Sequence, residues 1–187
     1  MHRSSASPTQ RVAGTGMSIA SARRAIGLLA CLASVTLCQA QEPDVAWWYE
    51  IQFPPDKESV GRISASQLNA DWRRVKGLSL QLLGDRVSSA AVREFEQSAL
   101  RFQIDQDLDG DGTPERAFVG TFAHSDGSTG RFLTILRDEQ VVATFSETGP
   151  PGFSALLIEN DLLRWYKCMQ CGEYDSIQAR SGTFYLE

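Results

Sequence analysis

Leu100-Arg101-Phe102-Gln103-Ile104-Asp105-Gln106-Asp107-Leu108-Asp109-Gly110-Asp111-Gly112-Thr113-Pro114-Glu115-Arg116-Ala117-Phe118-Val119-Gly120-Thr121-Phe122-Ala123 is the stretch on which the chain turns. Leu100, Phe102 and Ile104 alternate with Arg101, Gln103 and Asp105, the period of a strand with one buried face. Ala117 to Ala123 reads as the returning strand. Between the two, five acidic side chains and two glycines leave almost nothing apolar. Carboxylates this close repel one another unless something cancels the charge, and a bound cation is the simplest device.

Outward from this centre, strands alternate with turn residues. His124 to Gly130 is a polar, glycine-rich loop, and Arg131 to Leu136 pairs with Val141 to Ser146 around Asp138-Glu139-Gln140. Gly149-Pro150-Pro151-Gly152 breaks the chain. Phe153 to Ile158 and Leu162 to Lys167 pair around Glu159-Asn160-Asp161, and Tyr174 to Ala179 and Thr183 to Leu186 turn at Ser181-Gly182. Upstream, Ala46 to Phe53 alternates up to Pro54-Pro55, which predicts a strand with Trp47, Tyr49, Ile51 and Phe53 on one face and Trp48 on the other. Ser64-Ala65-Ser66-Gln67 has capping-box spacing, and Leu68, Trp72 and Val75 follow at helical intervals, predicting a helix from Ala65 to Lys76. Its bases Arg73, Arg74 and Lys76 read as end charges on a solvated face. Leu78, Leu80 and Leu82 suggest a short strand, and Val92, Phe95 and Ala99 a second helix from Ser89 to about Gln97. The expected fold is α+β: mainly an antiparallel β meander with two short N-terminal helices.

Arg3, Arg11, Arg23 and Arg24 are the only charges before Glu42, and the apolar run Ala25 to Leu37 ends at Cys38-Gln39-Ala40. That pattern predicts a secretory signal peptide over residues 1–40, its start at Met1 or at Met17, followed by a single exported β-rich domain over residues 41–187. The run is too short to span a bilayer as a helix, and the mature chain offers no transmembrane candidate. Residues 1–40 carry four arginines and no acid, so without them the formal charge goes from −5 to −9. Such an acidic chain argues against nucleic acid and anionic lipid as partners, leaving an unidentified protein or envelope component. Cys168 and Cys171 remain in the mature chain, as expected of a periplasmic or secreted protein whose paired thiols become disulfides.

Calcium takes six to eight oxygens, so short carboxylates must converge from alternate positions while glycine lets the backbone turn. Counting from Asp107, positions one, three and five are Asp107, Asp109 and Asp111, and Gly112 is the turn residue. Thr113 offers a carbonyl and Glu115 a further carboxylate. Counting from Asp105 gives a second match that fits less well, since Thr113 then takes the ninth place. An EF-hand is ruled out: the twelfth residue is Phe118 or Arg116 where a glutamate is required, and strands rather than helices flank the loop. Asp107 to Val119 instead resembles the β-hairpin calcium loops of FG-GAP and integrin-type repeats, with the pattern D-x-[DN]-G-D-G-x-x-[DE] matched at each specified place. The resemblance implies Asp107, Asp109, Asp111, the Thr113 carbonyl and Glu115 as Ca²⁺ ligands. It extends to the loop and not to a many-bladed propeller, which a chain of this length cannot hold.

Cys168-Met169-Gln170-Cys171 reads as a disulfide pinning a hairpin tip, since strand-like segments flank it where a redox-active CxxC needs a helix. A periplasmic thiol-disulfide protein acting through this pair is the first alternative function. A cell-envelope hydrolase using His124 with Ser125 and Asp126, or a pair of carboxylates, is the second. The reading preferred over both is a non-enzymatic, calcium-binding structural or binding module of the cell envelope.

Overall fold

The computed structural model of the chain describes residues 46–187, so the expected signal peptide lies outside the described residues. A one-turn helix, α1 (Trp47–Glu50), leads to a small hairpin, β1 (Ser59–Val60) and β2 (Ile63–Ser64), and to a second single turn, α2 (Ala65–Leu68). Strand β3 (Trp72–Gly77) and helices α3 (Leu80–Gly84) and α4 (Ser89–Gln97) follow. The rest is strand: β4 (Gln103–Gln106), β5 (Glu115–His124), β6 (Thr129–Arg137), β7 (Gln140–Thr148), β8 (Ala155–Glu159), β9 (Leu162–Tyr166), β10 (Tyr174–Arg180) and β11 (Thr183–Leu186). The architecture is thus mainly antiparallel β, with short helices confined to the N-terminal part.

Strands β5 and β6 form the centre of a five-stranded sheet, with β7 beyond β6. On its other side β5 has two partners, end to end: β3 pairs with residues 120–124 and β4 with residues 115–118. The peptide groups of Val119 hold both, because its carbonyl accepts from the Leu78 amide at 3.0 Å and its amide donates to the Phe102 carbonyl at 3.1 Å. A second sheet runs β11-β10-β9-β8, and the chain just before β4 joins it through paired hydrogen bonds between Arg101 and Leu156, at 2.8 and 2.7 Å. Ala117, Val119, Leu133 and Ile135 of the first sheet and Leu156, Leu163, Trp165 and Ile177 of the second meet in the larger core. The opposite face of β5 and β6, with Phe118, Phe122, Phe132 and Leu136, continues through Trp72 and Val75 of β3 and is covered by Ile63 and Leu68. Being covered on both faces, these strands read as apolar runs instead of a clean alternation.

That second core depends on two reciprocal cross-strand pairs, Gly120 with Phe132 and Phe122 with Gly130. Each ring lies over the opposing glycine: a Cβ on Gly120 would stand 2.4 Å from Phe132 Cζ and 2.5 Å from the Lys76 carbonyl oxygen. Trp72 stacks on Phe122 with ring centroids 4.3 Å apart, closing the layer. The hairpin turns carry the chemistry their strands need. Asp138-Glu139 and Asn160-Asp161 each hold two successive residues at positive φ, the turn whose twist matches that of the flanking strands.

Three N-terminal expectations give way to other structures. Ala46 to Phe53 is not a strand: α1 places Trp48 and Ile51 in the core, while Tyr49 is 69% exposed. Among the described residues only one bridge, Gln52 to Gly152, offers this segment a strand partner, and its apolar residues are buried through a helical turn instead. The predicted helix from Ala65 to Lys76 stops at Leu68. The capping box forms, with Gln67 N donating to Ser64 Oγ at 3.2 Å and Ser64 N to Gln67 Oε1 at 2.8 Å, but an Asn69 turn then redirects the chain into β3. Trp72 and Val75 share a face three residues apart because β3 carries a bulge between Trp72 and Arg74, and the extra residue mimics helical spacing. The leucines at 78, 80 and 82 do not form a strand either, because Ser79 Oγ accepts from Leu82 N at 3.1 Å and caps α3, which buries Leu83. The second expected helix is present as α4 over Ser89–Gln97.

Arg73 and Arg74 are exposed as expected, but Lys76 is 8% exposed and its ammonium lies 2.8 Å from Asp56. The hydrogen bond from Lys76 holds the Asp56 carboxyl below the usual aspartate value. Its stabilising contribution is therefore complete above the unfolded value of about 3.9 and is lost as pH falls through the lower folded value. Asp56→Asn should lower the melting temperature at neutral pH, with the gap from the unaltered chain closing below about pH 4. Gly120→Ala should cost about 1–3 kcal/mol by overpacking, read as a drop in the urea midpoint at constant slope.

Candidate metal centre

The loop between β4 and β5 is ordered by its own carboxylates. Asp107 accepts from Gly110 N at 2.8 Å and Gly112 N at 2.9 Å, and these two glycines adopt φ of +78° and +90°, values that side chains disfavour. Asp109 Oδ1 accepts from Asp111 N at 3.2 Å, Asp111 Oδ1 from Thr113 N at 2.7 Å, and Glu115 Oε2 from Leu108 N at 2.9 Å. Strand β5 begins at Glu115 and anchors one end of the loop, β4 the other.

Of the expected ligands, Asp107, Asp109 and Glu115 are brought together, one carboxylate oxygen from each lying within 4.8 Å of the others. Oxygens sharing one calcium ion stand at most about 5 Å apart, twice the metal–oxygen distance, so this spacing fits. Asp111 and Thr113 are outside that trio and on the exposed side of the loop. The Asp109 side chain is 3% exposed and that of Glu115 0%, and the β10–β11 turn is close enough that a Cβ on Gly182 would stand 3.8 Å from Asp109 Oδ2.

Sequence reasoning missed Arg137. This residue ends β6 one place beyond the Arg116–Leu136 pair, which sets it opposite Glu115. Its Nε donates to Glu115 Oε1 at 2.8 Å, its Nη2 pairs with Asp109, and Asp111 Oδ2 is 3.9 Å away. The hydrogen bond to Glu115 outweighs desolvation and, with that to Asp109, raises the guanidinium's pKa further above neutrality. Nothing along the chain distinguishes Arg137 from other strand-end bases; only the β5–β6 register does. Arg116, one residue on from Glu115, points the other way to Asp105 at 2.9 Å and Glu139 at 2.7 Å. Desolvation pushes Asp105 up, but hydrogen bonds from Gln103 and Arg116 prevail and hold its carboxyl below the usual range. When ionised, Asp107, Asp109, Asp111 and Glu115 carry four negative charges and Arg137 returns one, leaving −3 at the loop.

The other sequence candidates lie elsewhere. Cys168 and Cys171 form a disulfide in the β9–β10 loop, their Cα atoms 5.8 Å apart, with Cys168 2% exposed and no helix following to lower a thiol pKa. His124 stands edge-on to Phe122 at 5.1 Å, and Asp126 is engaged by Ser128 through its backbone N at 2.8 Å and its Oγ at 2.7 Å. Among the described residues no side-chain hydrogen bond links His124 to Ser125 or Asp126, so the three do not form a proton relay. Trp48 and Trp165 are both buried in the larger core. No protein-family model, curated protein or solved structure matches the chain.

Arg137→Gln removes the only cation among the described residues that contacts the buried Glu115. It should lower the melting temperature by more than about 5 °C in chelator, and Glu115→Gln in the same chain should recover part of that loss.

Proposed function

We propose that this chain is an exported, non-enzymatic structural or binding module of the cell envelope, periplasmic or secreted, whose β4–β5 loop holds a calcium ion. The observation that supports the proposal is the convergence of Asp107, Asp109 and Glu115 within 4.8 Å in a loop that keeps a charge of −3 after Arg137 is counted. A hard divalent cation is the ligand such a set of oxygens favours. By the resemblance to FG-GAP and integrin-type loops, Asp111 and the Thr113 carbonyl would complete its shell from the exposed side. Arg137 and calcium then divide the work: the guanidinium compensates the buried inner oxygens of Asp109 and Glu115, and the ion compensates the rest. The role is mechanical, since a fixed loop fixes the start of β5, the strand on which the larger sheet is built.

Loops of this type bind calcium at about 10⁻⁴ to 10⁻³ M, so about 10 mM calcium should raise the melting temperature by roughly 3–10 °C and give a one-site titration heat. Asp111→Ala, at a side chain 46% exposed, should abolish both effects with little change in the chelated protein. Equal melting temperatures in calcium and chelator, without titration heat, would show that Arg137 alone compensates the loop and would end the calcium proposal.

A further inference from the structure

The Cys168–Cys171 disulfide is connected to α1 through the Glu94 carboxylate. Gln170, held inside the four-residue disulfide loop, donates from Nε2 to Glu94 Oε1 at 2.9 Å, and the other oxygen of Glu94 accepts from Trp47 Nε1 at 3.0 Å. Trp47 belongs to α1 and meets Phe153 edge-on at 5.4 Å, while Glu94 sits on α4. The two sulfurs differ in access: Cys168 is 2% exposed and part of the larger core, whereas Cys171 is only partly buried.

We propose that this disulfide is a redox latch on α1, opened by an external dithiol that enters at Cys171. A thiolate of the dithiol attacks Cys171 Sγ, the bond to Cys168 breaks, and Cys168 leaves as a thiolate that takes up a proton. The second thiolate of the reagent then attacks the mixed disulfide and leaves as part of a cyclic disulfide, releasing the Cys171 thiol. The protein gains two electrons and two protons, and the dithiol loses them. Departure into apolar surroundings disfavours the Cys168 thiolate, so opening is slow, and access restricts the mixed disulfide to Cys171. Once open, Met169 and Gln170 are no longer tied at both ends, with Gly172 at φ +71° beside them, and the Gln170–Glu94–Trp47 chain loses its fixed end.

The test is amide hydrogen exchange on the full chain with and without dithiothreitol. Reduction should speed exchange in residues 47–52 roughly tenfold, the effect of losing one hydrogen bond to a charged group, while residues 115–137 stay unchanged. Gln170→Ala in the oxidised chain should give the same increase and show no further response to reductant. Unchanged exchange in residues 47–52 on reduction would overturn the latch. Entry is tested by brief reduction of the unaltered chain in monothiol glutathione, followed by acid quench and mass spectrometry. Glutathione on Cys171 alone is the expected result, and equal labelling of Cys168 would overturn one-sided attack.

Discussion

Burial of the Glu115 carboxylate is the constraint on which the middle of this protein depends. A carboxylate withdrawn from water must be met by charge or by hydrogen bonds, and here it has both: the Arg137 guanidinium on one oxygen and the Leu108 amide on the other. Those contacts require β6 to end opposite the first residue of β5, and they draw the acidic loop back over the sheet. Asp109 shares the same guanidinium, so loop, strand start and hairpin end form one electrostatic unit. Removing one partner leaves the others withdrawn from solvent without compensation, which makes the unit cooperative.

Away from that end, packing takes over from charge. The central strands carry side chains into two cores at once, and the close approach of aromatic rings to Gly120 and Gly130 brings the Trp72 layer down onto the sheet. A residue with a side chain at either glycine would lift the ring above it. The β5–β6 hairpin is thus held by an ionic cluster at one end and by ring-over-glycine contacts towards the other.

Much of this was legible along the chain from Ser89 onward, because α4 shows its apolar stripe, most strands alternate, and the intervening turns contain residues that tolerate positive φ. The acidic loop was legible too, since its composition admits few other readings. Upstream, local pattern and tertiary structure part company. The bulge in β3 gives Trp72 and Val75 the spacing of a helix, and Ser64 and Ser79 cap single turns that end almost at once. Alternation at Trp47, Tyr49 and Ile51 is outweighed by the lack, among the described residues, of a strand beside them. Arg137 was illegible for a different reason: its importance lies in register, and register is a property of two strands and not of either one.

Val119 binds both boundaries of the helical excursion that leaves at Leu78 and comes back at Phe102. Because one residue clamps the departure and the return, the alignment of the central strands does not depend on the length of the span between them, although Leu83 and Phe95 tie that span to the larger core. Lengthening it at the α3–α4 connection would leave the alignment of the central strands untouched, at a closure cost of only about 0.6 kcal/mol for each doubling of a flexible loop.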